Sequence, residues 1–129
     1  MSITGGTFNA SYYNFANMGV SGLAFSGAST TVSSLTEGNF TLAVNGGSLI
    51  TVSSTTLNYN AGLQITGASF ATTTAITGYN VKVTGTTTSA WTFTGHTGNF
   101  DGESFDSDTG AACGSVRWDE MCIRDSDIP

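Results

Sequence analysis

The chain has 129 residues, with nine acids, three bases and a formal net charge of −6. Three bases cannot build the positive surface that nucleic acid requires, and no run of ~18 apolar residues is present to span a bilayer. Charged residues are 9% and apolar residues 39%, the reverse of a disordered chain. Threonine (22), serine (16) and glycine (17) dominate, and proline occurs once, so the expected class is all-β, not helical.

Taken in chain order, one pattern recurs. It opens at Ile3-Thr4-Gly5-Gly6 and returns as Leu23-Ala24-Phe25-Ser26-Gly27, Leu42-Ala43-Val44-Asn45-Gly46, Leu63-Gln64-Ile65-Thr66-Gly67 and Val81-Lys82-Val83-Thr84-Gly85. The glycines fall 22, 19, 21 and 18 residues apart. Thr31-Val32-Ser33-Ser34 recurs as Thr51-Val52-Ser53-Ser54, and Asn39-Phe40, Asn58-Tyr59, Gly78-Tyr79 and Asn99-Phe100 close the units. Apolar-polar-apolar alternation is a strand with one buried face, and glycine supplies the bend after it.

A short unit holding several strands and bends predicts a right-handed parallel β-helix of about five coils, ~20 residues each, over residues 1–100. Equivalent residues then stack in columns, expected as Leu23/Leu42/Leu63/Val81, Phe25/Val44/Ile65/Val83 and Phe40/Tyr59/Tyr79/Phe100. Like charges stacked at strand spacing repel, whereas threonine and serine fit. Accordingly Glu37 and Lys82 are the only charged side chains in residues 1–100. A β-sandwich or jelly roll is the alternative for such short strands.

The character changes at Asp101. Residues 101–120 hold six of the nine acids and form an acidic cap or loop segment. Asp106-Ser107-Asp108-Thr109-Gly110 has the alternating oxygen spacing of calcium loops, and Asp101, Glu103 and Asp119 can add ligands toward the six to eight oxygens calcium takes. The competing reading is a solvated polar loop. Trp118 either lids the core or offers a ring to a sugar. Tyr12 and Tyr13 are the other candidate carbohydrate contacts, while Trp91, in the alternating Trp91-Thr92-Phe93, is expected inside.

Little else in the chain suggests catalysis. Glycoside hydrolysis needs two carboxylates across a bond, and the repeats offer Glu37 alone. His96 is the single histidine, in a turn-like Thr94-Gly95-His96-Thr97-Gly98, and Lys82 has no acidic companion on the coils. The expectation is a non-catalytic protein. The composition suggests secretion, with Cys113 and Cys122 either paired or free. Met1 lacks a leader behind it and falls within the repeat, as expected of an internal start in a longer secreted chain.

The Leu-x-Phe/Val/Ile-x-Gly units, with Gly98-Asn99-Phe100-Asp101-Gly102-Glu103 and Val116-Arg117-Trp118-Asp119, make residues 3–120 resemble the C-terminal part of bacterial surface or secreted proteins with parallel β-helix repeats, of the pectin-lyase-like superfold. The tail Met121-Cys122-Ile123-Arg124-Asp125-Ser126 resembles a peptide found at the ends of metagenomic gene models, so residues 121–129 are expected to be non-native. The resemblance implies hosts as varied as lyases, adhesins and tailspikes. Without the enzymes' charged side chains on its coils, the chain fits a structural or adhesive segment. The rivals are a carbohydrate-binding module contacting polysaccharide or cell-surface glycan, and a filament subunit self-associating through its coil ends.

Overall fold

The computed structural model of the protein describes residues 1–73, 76–108 and 114–118. Twelve strands are present among them: β1 (Ser2–Ile3), β2 (Thr7–Ser11), β3 (Asn14–Phe15), β4 (Leu23–Phe25), β5 (Thr31–Thr36), β6 (Asn39–Leu42), β7 (Gly47–Ser53), β8 (Gln64–Thr66), β9 (Ser69–Thr72), β10 (Gly78–Thr84), β11 (Trp91–Thr94) and β12 (Val116–Trp118). One short helix, α1 (Ser54–Tyr59), and a 3₁₀ turn at Glu103–Phe105 complete the elements. Every strand pairing is parallel. The chain is a parallel β-solenoid of about four turns, close to the five expected.

Each turn visits three faces. The first carries β1-β4-β7-β10, the second β2-β5 and then β8-β11-β12, and the third β3-β6-β9. The two parts of the second face meet where the Glu37 N–H donates to the Thr66 carbonyl at 2.9 Å. Period-2 alternation sends one side chain of each pair inward. Ile3, Phe25, Val52 and Val83 stack on the first face, beside Leu23, Ile50 and Val81. Ile65, Phe93 and Trp118 stack on the second, and Phe15, Phe40 and Phe70 on the third. Phe40 and Phe70 lie nearly parallel with centroids 5.2 Å apart.

These columns differ from those expected, because the coil is longer than 20 residues. Ser2 faces Ala24, Ala24 faces Thr51 and Ile50 faces Val81, offsets of 22, 27 and 31 residues. The strand-then-glycine unit marks a corner, and a coil has three. Gly27 and Gly85 follow β4 and β10, between the first and second faces. Gly67 follows β8, between second and third, and Gly46 precedes β7, between third and first. The first step, Gly5 to Gly27, passes a whole coil, and each later step of about twenty residues passes two sides of a three-sided coil. Leu23 and Val81 do share a column, as do Phe25 and Val83, but two coils apart. Tyr59 and Tyr79 are exposed and stack with neither Phe40 nor Phe100.

The third coil is lengthened by α1. The Ser53 hydroxyl caps it by accepting the Thr56 N–H at 3.3 Å, and Leu57 is buried. Just after it, the Asn60 side chain stands in for a strand. Its Nδ2 donates to the Thr30 carbonyl at 2.8 Å and its Oδ1 accepts the Val32 N–H at 2.9 Å. Among the described residues no helix is long and apolar enough to cross a membrane.

Candidate functional site

The last turn ends in a carboxylate cluster. The chain leaves the third face at Phe100, is turned by the Glu103–Phe105 segment, and lays Ser107 beside Lys82 of β10. Two backbone bonds fix that crossing: Val83 N–H to the Ser107 carbonyl at 2.8 Å and Ser107 N–H to the Val81 carbonyl at 2.9 Å. Buried Asn80 holds the turn from below, donating to the Phe100 and Gly102 carbonyls at 3.1 and 2.9 Å. Glu103, Asp106 and Asp108 are thereby brought together, each offering a carboxylate oxygen within 4.8 Å of the others.

Two of the three also anchor β12. Asp106 Oδ2 accepts the Trp118 indole N–H, and Asp108 Oδ2 accepts the Val116 backbone N–H, both at 2.8 Å. Burial pushes the Asp106 carboxyl up to about 9. A hydrogen bond with Glu103 and the charges of Asp108 and Glu103 push the same way, against the Trp118 N–H. Glu103 Oε2 is buried with no donor from the rest of the described protein.

The other sequence candidates are dispersed. Asp101 stands apart from the cluster, its Oδ2 lying 2.7 Å from His96 Nδ1. Asp119, Cys113, Cys122 and residues 121–129 lie outside the described residues. Trp118 is 1% exposed, stacked on Phe93 at 4.6 Å with Phe70 and His96 against its edges, which leaves no open face for a sugar. Tyr13 is half-buried between Phe15 and Phe40, its hydroxyl donates to the Leu35 carbonyl at 2.9 Å, and burial raises its pKa. Tyr12 is 84% exposed. Trp91 is fully buried and donates to the Asn60 carbonyl.

Two features escaped the sequence. One is the His96–Asp101 pair, five residues apart but joined only because the chain turns at Gly98. The other is a polar column on the second face. Ser11 faces Thr36, Thr66 faces Thr94, and the Glu37 N–H to Thr66 bond aligns the two halves. Thr66 and Thr94 hydroxyls lie 3.1 Å apart, and Thr36 donates to Ser11 at 3.4 Å. Comparison with protein families, curated proteins and solved structures finds no match to this chain.

Proposed function

We propose that this chain is a rigid, non-catalytic structural or adhesive segment of a bacterial extracellular or cell-surface protein. The observation that carries this reading is the uncharged column Ser11–Thr36–Thr66–Thr94. Its hydroxyls pair along the solenoid axis, over a core that runs through every turn. Such a body resists bending because each coil is tied to the next by backbone bonds, and its neutral exterior tolerates stacking. Calcium fixing the last turn belongs to this proposal, with Glu103, Asp106, once it gives up its proton, and Asp108 as the oxygen ligands. A second reading, a carbohydrate-binding module, is favoured by the open ring of Tyr12 beside that column.

The test is a panel of polysaccharides offered to the folded chain, once with calcium and once with EDTA, with thermal melting recorded in both buffers. A structural segment binds none of them selectively and melts higher with calcium. Selective binding would overturn it in favour of the carbohydrate module. Identical melting in the two buffers would remove calcium from the reading.

A further inference from the structure

The corner between the second and third faces carries a motif that neither the core nor the acidic cluster uses. Residues 37–41 read Glu37-Gly38-Asn39-Phe40-Thr41. Asn-x-Thr is the acceptor signal for linking an oligosaccharide to an asparagine amide. Alternation in β6 buries Phe40 in its column and puts Asn39 and Thr41 together on the outward side, Asn39 exposed and Thr41 partly so. Among the described residues no hydrogen bond occupies the Asn39 carboxamide or the Thr41 hydroxyl. Asparagines that serve the fold do the opposite: Asn45, Asn60, Asn80 and Asn99 each spend the side chain on backbone groups. Glu37 is the second observation. It is the only acid in residues 1–100, and it is exposed in the left-handed conformation at φ +55°. One coil on, the same corner is taken by Gly67 at φ +76°, so the backbone there suits glycine and does not explain a carboxylate. Gly67 also clears room for it, since a Cβ at Gly67 would meet the Glu37 carboxyl at 2.6 Å. The one ion pair among the described residues is His96–Asp101, which leaves Glu37 open to a cation from outside.

We infer that Asn39 is a modification site, the acceptor of an N-linked oligosaccharide, and that Glu37 is the charged handle by which the transferring enzyme selects it. The donor is an oligosaccharide carried on a lipid pyrophosphate. Asn39 Nδ2 attacks the anomeric carbon of its first sugar. The C–N bond forms as the C–O bond to pyrophosphate breaks, the lipid pyrophosphate leaves with the electron pair, and one Nδ2 proton passes to a base of the enzyme. The Thr41 hydroxyl positions the acceptor, and a cationic side chain of the enzyme pairs with Glu37. The chain contains its own comparison. Asn9-Ala10-Ser11 is also an exposed Asn-x-Ser acceptor, but Thr7 stands where Glu37 stands before Asn39. Timing follows from the backbone. Asn39 N–H donates to the Tyr13 carbonyl and Ser69 N–H to the Gly38 carbonyl, both at 2.8 Å, so the segment enters an enzyme before its coil closes. Once closed, the coil leaves Asn39 pointing away from the core, and the glycan lies outside. The inference rests on the extracellular reading above, because an exported chain is the one that meets such a donor lipid.

The experiment makes the full chain in a bacterial cell-free translation mix that holds a purified bacterial oligosaccharide transferase and its lipid-pyrophosphate-linked oligosaccharide, so the chain meets the enzyme before it folds. Intact mass and peptide mapping read the product. The expected result is the mass of one oligosaccharide, mapped to Asn39, on a chain whose far-ultraviolet dichroism matches the unmodified protein. Asn39→Gln and Thr41→Val should abolish it, and Asn9→Gln should leave it unchanged. Glu37→Gln should lower the modified fraction by about tenfold or more, the scale of one lost charge-assisted bond. A chain that stays unmodified overturns the proposal. So does equal modification of Asn9 and Asn39, or a Glu37→Gln chain modified as fully as the wild type, since either removes the handle. Loss of the β dichroism on modification overturns it as well. The mix supplies enzyme and donor directly, so none of these failures bears on whether the chain is exported.

Discussion

At the scale of single residues, Asp106 is where the fold and the solvent pull against each other. Burial, helped by the two acids beside it, favours the neutral form against the pull of the Trp118 N–H, and its pKa rises from the ordinary 3.8 to about 9. Between those values the folded chain holds a proton that the unfolded chain has released. Its stabilising contribution is therefore complete below about pH 4 and is lost as the pH rises through about 9. An asparagine at this position would mimic the protonated acid, donating to Glu103 and accepting from Trp118. Asp106→Asn should accordingly melt at or above the wild type near pH 9, with a flatter pH dependence through the range between. Parallel melting curves for the two proteins, recorded by calorimetry against pH in EDTA, would refute the raised pKa of Asp106. The sequence showed the acids as a run. It could not show that Asp101 would pair with His96, nor that the turn at Glu103–Phe105 would fold Glu103 back onto Asp106 and Asp108.

At the scale of elements, the position of a strand along the axis decides what its side chains contribute. Phe15, Phe40 and Phe70 occupy one column in β3, β6 and β9. Phe70 has Phe40 beneath it and the edges of Phe93 and Trp118 beside it, and it is fully buried. Phe15 meets Tyr13 and Phe40 and faces the open end. Phe70→Ala should then cost about 3–5 kcal/mol, the range for emptying a closed aromatic site. Phe15→Ala should cost well under half of that, because Phe15 is only partly buried and water fills the space it leaves. Equal losses in urea unfolding would show that the first coil is as closed as the third. The strands themselves were legible, since alternation such as Leu23/Phe25 or Trp91/Phe93 reports a one-sided strand directly. Their stacking partners were not. One local signal, two apolar residues and a glycine, serves all three corners, so the spacing of about twenty residues counted sides of the coil and not whole coils. The α1 insertion and the Asn60 clamp lengthen the third coil further, and nothing periodic announces them.

At the scale of the molecule, a solenoid divides its stability among interfaces between neighbouring turns, and a turn at an end has one interface where an inner turn has two. The two ends are not equal. The last turn is held by Ser107 against β10, by the acids on β12 and by Trp118 against Phe93 and Phe70. The first turn is held only from above, where Asn39 N–H meets the Tyr13 carbonyl and Thr31 N–H the Gly6 carbonyl. Opening should therefore begin at β1, β2 and β3 and travel toward the acidic end. Hydrogen exchange reads this directly. Amides of β6, β7 and β9 should be the slowest, those of β11 and β12 intermediate, and those bonding the first coil to the second the fastest. A uniform rate along the chain would mean that the turns unfold as one unit and that the difference between the ends carries no energetic weight.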